Sequence, residues 1–188
     1  MLAPSLVSLG ILAGGRSQRL GGQDKSRLRF EGRTLLERTL ASMAEGYAAI
    51  LLSHNAEPEL PPSAQIAVVG DLRSGFPGPL AGIEALLSAA RSPWLLTLPV
   101  DLKFIPVGLP GAILSASVHD ASGVVVIDAD GLQPLVALWP VQASLPAVSR
   151  ALDAGQAAVH VLVRSLEMLE LDISPLRMGN LNTPGDFC

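Results

Sequence analysis

Leu12-Ala13-Gly14-Gly15-Arg16-Ser17-Gln18-Arg19-Leu20-Gly21-Gly22-Gln23-Asp24-Lys25 begins inside the apolar run Leu6 to Ala13, and this junction decides the fold. An uninterrupted apolar stretch of that length reads as a strand covered on both faces, as in a parallel sheet. A glycine-rich loop at the carboxyl end of such a strand stands where doubly wound sheets bind their ligands. Gly14, Gly15, Gly21 and Gly22 let backbone N–H groups approach phosphate oxygens with no Cβ in the way. Arg19 and Lys25 supply the opposing charge. The spacing is not that of a Walker loop, which ends in Gly-Lys-Ser/Thr, nor the Gly-x-Gly-x-x-Gly of dinucleotide binders. A basic surface turn shares the composition; four glycines and two spaced cations behind a buried strand favour the phosphate site.

Downstream, strand and helix signals alternate. Thr34-Leu35-Leu36-Glu37 is a capping-box sequence, and the helix it opens is expected to end near Gly46. Tyr47 to Ser53 and Ile66 to Gly70 read as strands. Pro79 suits a helix's first turn, and Leu80, Ile83, Leu86 and Leu87 follow at helical spacing. Trp94 to Leu98 is a strand stopped by Pro99, and a weaker helix follows Pro106 towards Ser117. Val124 to Ile127 and Leu135 to Trp139 flank Asp128-Ala129-Asp130-Gly131, a hairpin signal. Ser144 to Ala154 reads as a helix closed by Gly155, Val159 to Leu166 as another, and Met168 to Ile173 as a late strand. The pattern predicts an α/β fold in three layers, a mostly parallel twisted sheet with helices on both faces and a small antiparallel hairpin addition.

With 188 residues and no linker, repeat or low-complexity tract, residues 1–188 read as a single domain. Mean hydropathy is +0.43, yet no apolar run approaches the length of a membrane span. The first strand has no basic residue before it, unlike a signal peptide. Cys188 is the single cysteine, so neither disulfides nor cysteine metal sites form within one chain, and a reducing, cytoplasmic setting follows. Net charge is −4 with no run of Lys or Arg, which argues against a nucleic-acid surface. Arg16, Arg19, Lys25, Arg27 and Arg29 nevertheless concentrate positive charge just behind the first strand.

Leu-Ala-Gly-Gly-x-Ser-x-Arg-Leu-Gly-Gly-x-Asp-Lys at 12 to 25 closely resembles the signature of the molybdenum cofactor guanylyltransferases, the MobA family of Rossmann-like nucleotidyltransferases. Matching stretches follow in order: Ser53-His54-Asn55, Asp71, Gly78-Pro79-Leu80-Ala81-Gly82-Ile83, Leu98-Pro99-Val100-Asp101, Gln133-Pro134-Leu135-Val136-Ala137-Leu138 and Asn180-Leu181-Asn182-Thr183-Pro184. The resemblance implies Mg²⁺-dependent transfer of GMP from GTP to the terminal phosphate of molybdopterin, with release of pyrophosphate. It implies that Leu12, Ala13, Gly14, Gly15 and Lys25 hold the GTP, and that Arg19, Lys25 and Asp101 are the catalytic set. It makes Asp101 the Mg²⁺ ligand; as a lone Asp after Pro99, Asp101 reads more simply as a turn or cap residue, though a carboxylate at this sheet edge suits Mg²⁺. It gives Asp71 a contact to the guanosine nucleotide and Asn55 one to ribose or base; Ser53 competes for the latter, and a turn asparagine is close in weight. Gly78, Pro79 and Leu80 would line the acceptor side at a helix N-terminus, with Asn182 beside them or acting as a turn former. Other cofactor-assembly proteins and recipient molybdoenzymes are the implied protein partners.

Gln133 stands where many family members carry His, Gly185 replaces an acidic residue, and Gln156, Ala157 and Ala158 are neutral where basic residues are common. The acceptor that the resemblance implies is anionic, so the neutral stretch weakens that assignment, while the triphosphate site is untouched. A cytidylyl or sugar-phosphate nucleotidyltransferase is the near alternative, and a non-catalytic GTP-binding accessory protein the distant one. His54, His119 and His160 share no spacing suited to a metal or a triad; His160 reads as a partly buried helix residue, and Trp94 and Trp139 as core.

Overall fold

The apolar run behind the glycine loop forms β1 (Val7–Leu12), six residues that are all buried. The computed structural model describes residues 1–14, 24–43, 45–62, 65–75, 78–117 and 122–187. Four further strands, β4 (Ala49–Ser53), β5 (Ile66–Val69), β6 (Trp94–Pro99) and β7 (Val124–Asp128), precede β8 (Gly131–Pro140) and β9 (Leu169–Asp172). The sheet order is β5-β4-β1-β6-β8-β7-β9, and β8 runs against both its neighbours while the other pairings are parallel. A separate two-stranded ribbon pairs β2 (Arg29–Phe30) with β3 (Arg33–Thr34).

Alternation of side chains explains the three layers, because successive residues of a strand face opposite sides. Val7, Leu9, Ile11, Leu96, Leu98, Val124, Val126, Val136 and Leu138 pack with α1 (Leu35–Ala41) and α3 (Leu109–Ala116). Leu51, Leu95, Val125, Ala137 and Trp139 face the other way, towards α2 (Pro79–Ala89), α4 (Val141–Asp153) and α5 (Val159–Ser165). Trp139 is fully buried, and its indole N–H donates to Thr97 Oγ1 at 2.9 Å. The mostly parallel α/β architecture expected from the sequence is the one observed.

Some details differ from the expectation. The capping box forms, with Thr34 Oγ1 accepting the Glu37 N–H and Glu37 Oε2 accepting the Thr34 N–H. The helix nevertheless stops at Ala41, five residues before Gly46, where Ser42 Oγ turns back onto the Thr39 carbonyl. Helix α4 starts at Val141, straight out of β8. The hairpin is internal: β8 lies between β6 and β7, since its last residues are apolar towards both faces. His160 is exposed on α5 rather than partly buried. Among the described residues no helix is long and apolar enough to cross a membrane.

Candidate active site

The order in which strands are added reverses at β1: the path runs outward through β4 to β5, then returns to β6 on β1's other side. A crevice forms at the carboxyl ends of strands at such a switch point. Here it is a cleft of about 260 Å³ lined by Leu12, Gly14, Lys25, Ser53, Asp71, Gly78, Pro79, Gly82, Pro99, Asp101 and Leu135. The ends of β1, β4 and β6 are knitted by backbone bonds from Ala13 N–H to the Ser53 carbonyl and from Val100 N–H to the Leu12 carbonyl. Gly14 approaches Ser53 closely enough that a Cβ would touch its carbonyl and hydroxyl oxygens.

Residues 15–23, with Gly15, Arg16, Arg19, Gly21 and Gly22, lie outside the described residues, as does His119. The chain re-enters at Asp24, whose carboxylate caps a 3-10 turn over Lys25–Arg27. Lys25 Nζ then reaches Asp101 Oδ2 at 2.5 Å, with both side chains largely buried. Asp101 leaves the end of β6, and its carbonyl accepts the Leu181 N–H. Asn182 follows the residue that makes this bond, and it is not among the lining residues of the cleft.

Asn55 and Asp71 pair reciprocally. Asn55 Nδ2 donates to Asp71 Oδ2 and the Asp71 N–H donates to Asn55 Oδ1, both at 2.8 Å. Asp71 lines the cleft; Asn55 is exposed behind it and orients the carboxylate. Ser53, fully enclosed, occupies the cleft floor instead. Helix α2 opens onto the cleft with no side-chain cap: Gly78 has φ +91°, a conformation favoured by glycine, and Pro79 occupies the first turn. Leu80 is fully buried in the apolar cluster, so its side chain takes no part in the lining.

Two departures acquire reasons. Gln133 Nε2 donates to Asp128 Oδ1 at 2.9 Å, tying the β7–β8 hairpin across its turn. Asp186, one residue beyond Gly185, accepts the Asn182 N–H, the Thr183 N–H and the Thr183 hydroxyl on one oxygen. The Thr183 bonds, with the Asn182 N–H, hold the Asp186 carboxyl below its ordinary range. The Gln156–Ala158 stretch between α4 and α5 remains uncharged.

A mostly parallel sheet thus carries, at the switch point where such sheets bind ligands, a Lys–Asp pair and a second carboxylate in one cleft. Residues 9–169 match the family model described as the MobA-like NTP transferase domain, and the chain belongs to that family. The molybdenum cofactor guanylyltransferase of Pseudomonas fluorescens is 35% identical over 94% of this chain and 90% of its own length. Among solved structures, molybdopterin-guanine dinucleotide biosynthesis protein A from Archaeoglobus fulgidus superposes with TM-score 0.72 at 22% identity, over 96% of this chain and 94% of that one. The 2-C-methyl-D-erythritol 4-phosphate cytidylyltransferase of Thermus thermophilus gives 0.70 at 20% identity, over 95% and 94%. The fold is thus shared by chains named for different nucleotides, and the chain itself is a nucleotidyltransferase.

Proposed function

We propose that the chain transfers GMP from GTP to the terminal phosphate of molybdopterin; the name of its relatives, molybdenum cofactor guanylyltransferase, supports guanylyl transfer within molybdenum cofactor synthesis. The carrying observation is the meeting of Lys25 Nζ and Asp101 in a cleft that Asp71 and the α2 N-terminus also line. An oxygen of the acceptor phosphate attacks the α-phosphorus in line, and the bond from the α-phosphorus to the bridging oxygen of the β-phosphate breaks. The electron pair leaves with pyrophosphate. The attacking phosphate is already ionised near neutral pH, so the residues have no proton to remove; their task is positioning and charge neutralisation.

Lys25 faces the leaving pyrophosphate, with Arg19 assigned the same task from the sequence. Leu12, Ala13, Gly14 and Gly15 offer backbone to the triphosphate, Ser53 and Asp71 contact the nucleoside, and Gly78, Pro79 and Asn182 border the acceptor. Among the described residues no three His, Cys, Asp or Glu side chains cluster to hold a metal by themselves. The carboxylates of Asp101 and Asp71 in one cleft do suit Mg²⁺, which takes one or two carboxylates and completes its shell with substrate oxygens and water. Asp101 would hold the ion, which when bound neutralises charge on the transferring phosphates.

Calorimetry of GTP, CTP, ATP and UTP with Mg²⁺ tests the reading on the wild type and on Asp101→Ala. The expected outcome is selective GTP binding that weakens in the variant, together with pyrophosphate release once molybdopterin is added. Lys25→Ala is expected to lose turnover by roughly 10²–10³ while remaining folded. Preference for CTP would move the chain to the cytidylyl reading. GTP binding without pyrophosphate release would favour an accessory protein.

A further inference from the structure

His54 follows Ser53 at the end of β4, and the nucleotidyl transfer proposed above gives its imidazole no direct task. The side chain is only 9% exposed, and its backbone N–H continues the sheet by donating to the Val69 carbonyl at 2.9 Å. Its Nε2 lies 3.0 Å from Asp24 Oδ1. The other ring nitrogen faces both polar groups of Ala56, with the Ala56 N–H at 3.1 Å and the Ala56 carbonyl at 3.0 Å. A neutral ring therefore accepts the Ala56 N–H on Nδ1 and keeps its proton on Nε2 for Asp24. A protonated ring donates Nδ1–H to the Ala56 carbonyl and still donates Nε2–H to Asp24. In either state the bond to Asp24 persists.

Asp24 is the residue before Lys25 and caps its turn, accepting the Ser26 N–H at 2.9 Å and the Ser26 hydroxyl at 2.7 Å on Oδ1. Arg27 Nε stands 3.4 Å from the second oxygen. Asp24 thus has its own local partners and does not need His54 to form the turn. What His54 adds is a tie between that turn and the sheet. Connections run from β4 through His54 and Asp24 to Lys25, and from Lys25 Nζ to Asp101 at the end of β6.

We propose that His54 is a positioning residue for Lys25, its Nε2–H gripping Asp24 so that the capped turn presents the ammonium at Asp101 and the cleft. The inference rests on Lys25 acting in the transfer reaction. Small misplacements of a charge aimed at the reacting centre lower turnover while leaving most ground-state binding intact.

Steady-state pyrophosphate release with GTP, Mg²⁺ and molybdopterin tests it on His54→Ala, His54→Gln, Lys25→Ala and the double variant His54→Ala/Lys25→Ala. In His54→Ala kcat is expected to fall about 10-fold with KM for GTP within about 3-fold. His54→Gln, whose side-chain amide carries an N–H donor, is expected to recover to within about 3-fold of the wild type. The double variant should be no slower than Lys25→Ala, because residues acting through one another are not additive. Wild-type kcat in His54→Ala, equal impairment in the Gln variant, or a further loss in the double variant overturns the proposal. Amide hydrogen exchange at Ser26 and Leu28 separates the two readings. If the wild type releases no pyrophosphate, the reaction is wrong; faster exchange in His54→Ala, restored by Gln, still upholds the tie, and unchanged exchange overturns it.

Discussion

A methyl group on Gly82 would stand 2.7 Å from Ser53 Oγ and 3.0 Å from Leu12 Cδ2. Both neighbours line the cleft, so bare backbone at Gly82 is what leaves the floor its depth. Gly82→Ala gains helix propensity of about 1 kcal/mol but overpacks an enclosed site, at a cost of about 1–3 kcal/mol. Calorimetric melting should show a lower Tm, and GTP titration weaker binding as Ser53 is pushed upward. An unchanged Tm with unchanged affinity would show that Ser53 can move aside freely. The same scale separates Ser53 from Asn55. Residues two apart at a strand's end share a face only while the strand continues, and the chain leaves β4 at Ser53. Asn55 thereby serves Asp71, while Ser53 faces the cleft.

Between elements, the segment Asp71 to Gly75 is fastened by Arg73. Its guanidinium grips Glu84 on α2 through two bonds of 2.7 and 2.8 Å, and reaches Asp153 at 2.6 Å and the Ser149 carbonyl on α4. Glu84 is 4% exposed and is the one charged residue of α2, and Ser149 Oγ completes its shell at 2.7 Å. The Arg73 bonds hold the Glu84 carboxyl below its ordinary value against the opposing effect of burial. Removing one member of a buried pair strands the other's charge, whereas apolar replacement of both is often tolerated. Arg73→Ala should therefore lower stability in urea more than Arg73→Leu/Glu84→Leu does. Both should weaken GTP binding, because the loop carrying Asp71 loses its fastening. Equal stability of the two variants would place the pair's worth outside charge compensation.

At the scale of the molecule, the C-terminal segment folds back across the sheet edge. Asp128, 2% exposed at the end of β7, accepts the Met178 N–H on Oδ2 and the Asp130 N–H and Gln133 amide on Oδ1, each at 2.9 Å. Arg177 adds an ion pair to Asp130, and Leu181 continues the path to Asp101. Burial would raise the Asp128 carboxyl, but the bonds from Met178, Gln133 and Asp130 outweigh it and hold it below the ordinary 3.8. With the folded value depressed, the unfolded chain takes up its proton first. The stability Asp128 contributes is then full above about 3.8 and is lost as pH falls through the folded value. Asp128→Asn should cost about 1–3 kcal/mol at pH 7. Denaturant melts of the two proteins should converge as the pH drops below the ordinary carboxylate range. A gap that stays constant to pH 3 would assign the loss to packing instead.

Local chemistry made much of this legible beforehand. Apolar runs and their alternation mark β1, β4, β6, β7 and β8, the Thr34–Glu37 box marks the start of α1, and Pro79 marks the start of α2, because each signal is contained within a few consecutive residues. Lys25 is visible as a candidate because it closes the glycine-rich stretch, whereas Asp71 and Asp101, each a lone Asp after a strand, read locally as turn residues and are marked as site residues only by the family resemblance. Packing decided the remainder. That Lys25 meets Asp101 across 76 residues, that β8 enters the sheet interior, and that Met178 closes on Asp128 across 50 all depend on how the layers stack. So do the grip of His54 on Asp24 and that of Arg73 on Glu84. Such pairings leave no periodicity in the chain, since their energy comes from burial and geometry that exist only once distant segments are brought together.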